Sequence, residues 1–599
     1  MLRKFLILTL FLITYHVLRI VPVFASDFAF DYVVTYDVST NGTTHVTQNV
    51  KLTNLVSNYY AQNYTLSVNS QALENITAFD EGGTIVPEVT KSNGQTTMKL
   101  QFTTKTAGIN KVHPFTLSYD SRDLATKKGR IWEIIIPGIE KNSDIRSYTA
   151  KLIVPKSFGK AAYFSPAPKD QNEWNLTQLG GRGITAAYGD YQSFSFNLIY
   201  YLENTSSRPM LQEITLPPDT EFQKIVLNRL SETPQNVHID SDGNWLALFQ
   251  LRPREIKKII AEGLALIYIS PGTQKTSLTR AEKSTYTSPQ KFWEQTPEIK
   301  ELANTLKTPQ AIYDWVVNNL SYNYSRVEPG IKRLGAIEAL KNPKNSVCME
   351  FSDLFIALAR SAGIPARQIH GYAYTTNSRL QPLSLLTDVL HAWPEYYDEE
   401  KRLWVPVDPT WGNTTVGVDY FSKLDFNHIA FAILGIHSNY PYPAGAFKLD
   451  EKSKDVFVDF TTLETIPEPQ ATLTIGLPPK LVAGGNTTGT IKIKNTGNVL
   501  FTPEKLEFSS EFPVSFRQEN LTAIPPYGEI EVPIEVTTPF SFVSHVSPLR
   551  ILLNHQETKA ILTSAPLYEV YWWVLLIIGA SFVLMLLFRH AKRGPQSYH

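Results

Sequence analysis

Cysteine is nearly absent from this chain, because Cys348 is the single cysteine among 599 residues. No disulfide can form within the chain, so its stability has to come from packing rather than from covalent cross-links. An excess of either charge is also absent, since 56 lysines and arginines balance 56 aspartates and glutamates. This balance excludes a strong overall preference for nucleic acid or for anionic surfaces.

The common cofactor motifs are missing as well. The sequence contains no glycine-rich phosphate loop, no dinucleotide fingerprint and no set of His, Cys and Asp with the spacing of metal ligands. Its acidic residues are scattered, so a calcium site has no visible basis. We therefore expect no cofactor, no metal and no nucleic-acid partner.

An apolar run near the amino terminus has the features of a signal peptide. Phe5–Ile13 follows a short basic head, and Val23-Phe24-Ala25 has suitable residues at the positions that a signal peptidase reads. Residues 1–25 are therefore predicted to be removed on export, so that the mature chain begins at Ser26.

A second apolar run, Val570–Phe588, has roughly the length that is needed to cross a bilayer. Aromatic residues precede it, and a basic patch that begins at Arg589 follows it. The positive-inside rule places such a patch in the cytoplasm. The sequence thus predicts one transmembrane helix over 569–588, a cytoplasmic tail over 589–599, and a cell-membrane protein whose large N-terminal region lies outside the cytoplasm.

Strand patterns dominate the sequence on both sides of a central region. Tyr32–Val38 and Thr44–Leu52 alternate apolar and polar residues and flank the turn Asn41-Gly42, a pattern typical of a β-hairpin. Repeated runs of this kind favour β-sandwiches. The predicted order is an N-terminal β-sandwich region over 26–205, a second β-rich domain over 206–284, a central domain over 285–450, a linker over 451–470 and an immunoglobulin-like β-sandwich over 471–565.

Cys348 lies where an irregular segment gives way to a helical pattern. Apolar residues follow it at the spacing of one buried helix face, namely Phe351, Leu354, Phe355 and Leu358. Cys348 is therefore predicted in the first turn of a helix, with Ser346 or Asn345 as its N-cap. The positive end of the helix dipole and unpaired backbone N–H groups favour a thiolate at such a position.

Two candidate partners of Cys348 lie further along the chain. His391 opens a predicted strand, and Asp408 ends a second predicted strand that begins at Leu403 and stops at a turn. Antiparallel pairing across the polar turn Asp398–Lys401 would bring His391 near Asp408. If the Cys348 helix packs on this sheet, a nucleophile, a base and an orienting carboxylate come together, as nucleophilic acyl transfer requires.

The motifs around these residues resemble those of the transglutaminase-like superfamily, closely over Leu302–Gly412. They are the cysteine that opens a helix, Ala362-Gly363-Ile364-Pro365-Ala366-Arg367, His391-Ala392-Trp393 and Pro406-Val407-Asp408-Pro409-Thr410. The resemblance implies a papain-like α+β domain with Cys348 as nucleophile, His391 as general base and Asp408 as its orienting partner. In such proteins an aromatic or amide side chain from the segment before the cysteine can help to hold the oxyanion, so Tyr322 and Tyr324 are either such groups or ordinary core aromatics, and the backbone N–H of Cys348 is the favoured donor.

The expected fold is therefore multidomain, a β-sandwich-rich ectodomain with a central transglutaminase-like domain and a C-terminal membrane helix. The expected activity is acyl transfer from a carboxamide or peptide carbonyl of a protein or peptide substrate, through a cysteine thioester, to an amine or water. Two alternatives stay open: a cysteine peptidase or amidase that acts on surface proteins or cell-wall peptide, and a non-catalytic surface scaffold or adhesion protein. The oligomeric state also stays open.

Overall fold

The computed structural model describes residues 26–591 apart from 93, 140–141, 180–182, 273–276, 328–331, 376–380, 384–387, 389, 416–417, 451–452, 518–520 and 555. The predicted signal peptide and residues 592–599 of the predicted tail lie outside the described residues. The chain divides into two compact units, Met1–Asp190 and Tyr191–His599.

The first unit consists mainly of strands. They are β1 (Phe28–Val38), β2 (Thr44–Asn54), β3 (Asn63–Val68), β4 (Leu73–Asp80), β5 (Gly83–Ile85), β6 (Glu88–Ser92), β7 (Gln95–Gln101), β8 (Val112–Ser121), β9 (Ala125–Lys128), β10 (Ile131–Ile136), β11 (Ile145–Ile153), β12 (Ala161–Ser165), β13 (Glu173–Asn175) and β14 (Ile184–Tyr188), with one short helix, α1 (Leu176–Leu179). Three sheets contribute to one apolar core, in the orders β13-β11-β1-β2-β8-β4-β5, β12-β14-β10-β9 and β3-β7-β6. The predicted hairpin is confirmed, since β1 pairs antiparallel with β2 around a turn in which Gly42 has φ +89°.

The second unit begins with two sheets and continues into a helical region. Its first strands are β15 (Tyr191–Glu203), β16 (Met210–Leu216), β17 (Gln223–Leu230), β18 (Asn236–Ile239), β19 (Trp245–Leu251), β20 (Ile256–Tyr268), β21 (Ala366–Ala373), β22 (Leu390–Asp398), β23 (Leu403–Pro406), β24 (His428–Leu434) and β25 (Val456–Phe460). Its first helices are α2 (Arg280–Thr287), α3 (Pro297–Leu306), α4 (Pro309–Asn319), α5 (Ala336–Lys341), α6 (Cys348–Ser361) and α7 (Pro409–Thr414).

Two strands lie in sheets that their sequence positions did not indicate. The predicted N-terminal region extends to residue 205, but β15 pairs along its whole length with β20, which lies in the predicted second β-rich domain over 206–284. The predicted linker over 451–470 contains β25, which pairs with the other edge of β15 and completes the sheet β17-β20-β15-β25. An alternating sequence pattern indicates which face of a strand is apolar, but contacts with distant segments decide which sheet the strand joins.

Helix α6 is the centre of the helical region. Nearly all of its side chains are buried, because it packs against α3, α4 and α5 on one side and against β21 and β22 on the other. The sheet has the order β23-β22-β21-β24. Thr296 and Thr308 cap α3 and α4 through their side chains, and each helix has proline at its first position.

The remaining strands form two four-stranded sheets around a further core. They are β26 (Ala471–Gly476), β27 (Leu481–Val482), β28 (Asn486–Asn495), β29 (Leu506–Ser509), β30 (Val514–Phe516), β31 (Glu529–Thr537), β32 (His545–Leu553) and β33 (Gln556–Ala565), followed by α8 (Leu567–Val570) and α9 (Trp572–Ala591). Among the described residues, α9 is the one helix that is long and apolar enough to cross a membrane. Its segment Trp572–Arg589 has a mean hydropathy of 2.1 and is not buried by the rest of the chain.

Candidate active site

Cys348 is the first residue of α6, and its side chain is fully buried. The N-cap is Val347 rather than Ser346 or Asn345, which the sequence favoured. The reason is Glu350, whose carboxylate accepts a hydrogen bond from the backbone N–H of Val347 at 3.0 Å and so replaces a polar cap side chain. The helix therefore begins one residue later than a serine cap would require, with Cys348 in its first turn as predicted.

Glu350 also fixes the segments around the cysteine. Its buried carboxylate accepts hydrogen bonds from the backbone N–H of Leu334 at 2.8 Å and from the guanidinium of Arg326 at 3.0 Å. Together with Val347, these contacts satisfy a charge that would otherwise be costly to bury. One carboxylate thus joins two preceding loops to the start of the Cys348 helix.

Tyr322 lies beside this helix start because its backbone is joined to the segment before Cys348. Tyr322 and Ser346 form a parallel β-bridge, and the N–H of Asn323 donates to the carbonyl of Ser346 at 2.8 Å. The hydroxyl of Tyr322 is buried and has no hydrogen-bond partner within the described part of the chain. Burial, followed by the charge of Cys348, raises the pKa of Tyr322 well above its ordinary value, so the hydroxyl keeps its proton.

The predicted pairing of the strand that carries His391 with the strand that begins at Leu403 is confirmed, but the second strand ends at Pro406 and Asp408 lies beyond it, because it caps the helix that follows. Asp398 pairs with Leu403 and Glu395 with Pro406, so β22 and β23 form an antiparallel hairpin. Beyond the hairpin, the Nε2 of His391 lies 2.9 Å from Oδ2 of Asp408, and both side chains are completely buried. The hydroxyl of Ser352 on α6 donates to the carbonyl of Ala392, which attaches the helix to the residue after His391.

Asp408 is held by the helix that it starts. Its Oδ1 accepts hydrogen bonds from the backbone N–H groups of Thr410 at 2.9 Å and Trp411 at 3.0 Å, so it is the N-cap of α7. Burial opposes its charge, but the charge and hydrogen bond of His391 outweigh burial and lower the pKa of Asp408 below its ordinary value. The carboxylate is therefore ionised and its second oxygen faces His391.

The other ring nitrogen of His391 is left for the thiol. Nδ1 is buried and has no hydrogen-bond partner among the described residues. Burial lowers the pKa of His391, but the charge and hydrogen bond of Asp408, and then the nearby Cys348, raise it to about 9. His391 and Asp408 are thus brought together, and Cys348 is near enough to His391 to influence its pKa. Such an arrangement can accept and return the proton of a thiol.

A second histidine shares Asp408, and the sequence did not predict it. The Nε2 of His428 lies 3.4 Å from Oδ2 of Asp408, and its Nδ1 lies 2.7 Å from Oδ1 of Asp425. His391, Asp408 and His428 place ligand-type atoms within 4.8 Å of one another. Because hydrogen bonds already join these atoms, we assign no metal to them. The available signal was Asp425 three residues before His428, at the start of an apolar strand.

Aromatic rings enclose the pair of histidines. Trp411 stacks on His391 at a ring-centroid distance of 5.2 Å, and Trp393 lies at 5.9 Å. His370, by contrast, faces Gln368, whose Oε1 lies 3.1 Å from its Nε2. Burial and the charge of Arg333 lower the pKa of His370 to about 3. His370 is therefore a neutral histidine within the sheet. Its contact with Gln368 does not involve a candidate catalytic group.

Comparison with known proteins identifies the class. Residues 295–409 match the sequence model of the transglutaminase-like superfamily. The chain therefore contains a transglutaminase-like domain, a class that includes cysteine acyltransferases and proteases, and this domain includes Cys348, His391 and Asp408.

The similarity to individual proteins is low and covers only part of each chain. A protein-glutamine gamma-glutamyltransferase of Pseudomonas aeruginosa is 29% identical over 126 residues, which cover 19% of this chain and 18% of that protein. An uncharacterized protein of Haemophilus influenzae is 23% identical over 186 residues, which cover 26% of this chain and 48% of that protein. The chain thus spans at most about half the length of these curated relatives. The alignment with the crystal structure of red sea bream transglutaminase covers 60% of this chain and 79% of the chain in that structure, with 11% sequence identity and a TM-score of 0.18.

Proposed function

We propose that this protein is a thiol enzyme that transfers an acyl group from a carboxamide or peptide carbonyl, through a thioester on Cys348, to an amine or to water. The observation that carries the proposal is the placement of His391, which binds Asp408 through Nε2 at 2.9 Å and leaves Nδ1 for the cysteine that opens α6. An acyl transfer of this kind needs a nucleophile, a base and a group that orients the base.

In the first half of the reaction, His391 takes the proton of Cys348, or the two already rest as an ion pair, and the thiolate attacks the carbonyl carbon. Asp408 fixes the tautomer of His391, because its oxygen accepts the Nε2–H and leaves Nδ1 to exchange the proton. The protonated imidazole then donates to the departing amine, and a thioester remains. In the second half, an amine or water loses its proton to His391 and displaces the sulfur.

Two groups are candidate donors for the developing oxyanion. The first backbone N–H groups of α6 have no partner within the helix, so that of Cys348 is one candidate. The hydroxyl of Tyr322 is the other, since it is buried, retains its proton and has no partner in the described part of the chain. A buried donor without a partner is costly, and a substrate oxyanion would remove that cost.

Access to the site is restricted. Cys348, His391 and Asp408 are all shielded from solvent, so an acyl donor reaches the sulfur only when covering residues move. Exclusion of water strengthens the electrostatic interactions on which the mechanism relies.

The proposal includes a location outside the cytoplasm. A signal peptide over 1–25, the apolar helix α9 and the basic residues after it support a single-pass membrane protein with its catalytic domain on the outer side. In this arrangement the last β-rich domain, which we propose to be immunoglobulin-like, is a spacer between the catalytic domain and the membrane. The substrates would then be exposed proteins or peptides.

The reaction is tested with the full chain in detergent beside its Cys348→Ala variant. Each is incubated with a glutamine-containing protein and a biotinylated primary amine, and the products are read by mass spectrometry. Amine incorporation that depends on Cys348 identifies a transferase, whereas fragments without incorporation identify the alternative, a peptidase or amidase.

Thiol reactivity separates both enzymes from a scaffold. Because Cys348 is the only cysteine, the rate of alkylation by iodoacetamide reports this residue alone. His391→Ala is expected to slow alkylation strongly near neutral pH, while the matched variant His370→Ala is expected to keep the wild-type rate. Equal rates in all three proteins, without product in the first assay, would contradict the enzyme and favour a non-catalytic surface protein.

A further inference from the structure

His428 stands behind the proposed catalytic residues with both of its ring nitrogens facing carboxylate oxygens. Nδ1 lies 2.7 Å from Asp425 and Nε2 lies 3.4 Å from Asp408. The side chain is buried, as are both carboxylates. Its ring lies 5.6 Å from the ring of His391 and contacts Trp393 and Trp411 at centroid distances of 5.0 and 4.5 Å.

This geometry defines the protonation state. A neutral imidazole has one N–H and one acceptor nitrogen, and an acceptor facing an ionised carboxylate would be repelled. Both contacts of His428 are favourable only when both nitrogens carry hydrogen, that is, when the ring is an imidazolium. Burial lowers the pKa of His428, but Asp425 and Asp408 outweigh burial and raise it to about 9, in agreement with that state.

We propose that His428 is a cation at neutral pH that shares Asp408 with His391 and thereby sets the pH range in which the Cys348–His391 pair is reactive. This inference rests on the proposed function. A bare buried carboxylate would hold the His391 proton tightly, whereas a carboxylate that also faces His428 has part of its charge neutralised. His428 is thus a positioning residue that acts through Asp408 without touching the reacting atoms.

The other charged groups around His428 leave this assignment intact. The cavity beside it is also lined by Glu395 and Lys423. Glu395 is paired with Arg367 at 2.7 Å, so its charge is compensated locally. Asp408 accepts hydrogen bonds from the backbone N–H groups that begin α7. Among the described residues, its charged side-chain partners are His391 and His428. Asp425 and Asp408 are therefore the carboxylates that decide the charge of His428.

The sign of the effect follows from charge alone. Each proton that leaves the Cys348–His391 pair makes the pair more negative, so a neighbouring cation lowers the pH at which the proton leaves. Replacing His428 with neutral glutamine should move the midpoints of the pair to higher pH. For unit charges at the ring separation of 5.6 Å, the expected shift is about 1 to 2 pH units.

The test measures the rate of Cys348 alkylation by iodoacetamide against pH in the full chain. The variants are His428→Gln, Asp425→Asn, the double variant and the control His370→Gln, each checked for its melting temperature. We expect an upward shift in His428→Gln and no upward shift in Asp425→Asn, which removes a negative charge. The double variant also loses the negative charge of Asp425 on the far side of the ring, so its midpoints are expected to rise by less than those of His428→Gln. The control is expected to keep the wild-type midpoints.

The outcomes separate this inference from the function on which it rests. If His391→Ala leaves the wild-type alkylation profile unchanged, Cys348 is not activated, and the proposed function and this inference both fail. If His391→Ala abolishes the reactive range but His428→Gln lowers the rate at every pH without moving the midpoints, the enzyme stands and the cation is refuted. An upward shift in Asp425→Asn equal to that in His428→Gln would refute it as well.

Discussion

Replacing Tyr322 with phenylalanine is expected to reduce activity without reducing stability. In the folded chain its hydroxyl is buried beside Cys348 and has no hydrogen-bond partner in the described residues. Most buried hydroxyls in proteins are paired, since an unpaired one costs roughly 1 to 3 kcal/mol. The cost is explained if the hydroxyl binds an oxyanion that exists only during the reaction.

The two effects have different magnitudes and opposite signs. Loss of one oxyanion donor lowers kcat by roughly 10²- to 10³-fold, and KM should change little because the bond forms mainly in the transition state. The free energy of unfolding should stay constant or rise by about 1 kcal/mol, because the substitution removes an unsatisfied group and keeps the ring contacts with Tyr324 and Phe351.

The assay combines amine incorporation kinetics with chemical unfolding of the same preparations. Tyr324→Phe is the matched control, because it removes a hydroxyl from a neighbouring ring that is about half exposed, and it should retain wild-type kinetics and stability. Wild-type kcat in Tyr322→Phe would refute the assignment of the hydroxyl to the oxyanion. A loss of kcat with an equal loss of stability would show that Tyr322 only supports the fold.

Three further outcomes are expected. Asp408→Asn should lower kcat by roughly 10³- to 10⁴-fold through the tautomer of its histidine partner, and circular dichroism should show retained helix because asparagine also caps α7. The folded pKa of His428, about 9, exceeds its ordinary value of 6.5, so its stabilisation is complete below pH 6.5 and is lost as pH rises through 9. Relative to His428→Gln, the free energy of unfolding of the wild type should therefore fall by up to roughly 1.4 kcal/mol per pH unit in that window. Truncation after Ser564 should move the protein from the membrane fraction to the soluble fraction on centrifugation, and retention in the membrane would contradict anchoring by α9.

Local pattern determined the parts of the site that depend on neighbours in sequence. The turn at Asp398–Lys401 fixed the register of the hairpin, and the register brought His391 to Asp408, because residues that flank a tight antiparallel turn have few alternatives. The apolar spacing after Cys348 likewise predicted the helix that the cysteine opens. The family motifs then assigned the roles that are proposed for these residues.

Several features were decided only by contacts between distant segments. The N-cap of α6 depends on Glu350, whose carboxylate also binds Leu334 and Arg326 from loops earlier in the chain. The position of Tyr322 beside the start of α6 depends on a bridge to Ser346, and there its hydroxyl has no hydrogen-bond partner among the described residues. No local pattern distinguishes a buried tyrosine with a partner from one without, because the missing partner belongs to the tertiary packing.

The sequence by itself determined the class of the protein, the order of strand-rich and helical segments, the apolar character of the chain end and the three residues proposed for catalysis. Only the tertiary structure placed β15 and β25 in one sheet and put His428 behind Asp408. The physical reason is the range of the interactions. Periodicity, turns and caps act over a few residues and can be read in order, whereas sheet membership and the charge of a buried imidazole depend on groups that the fold brings together.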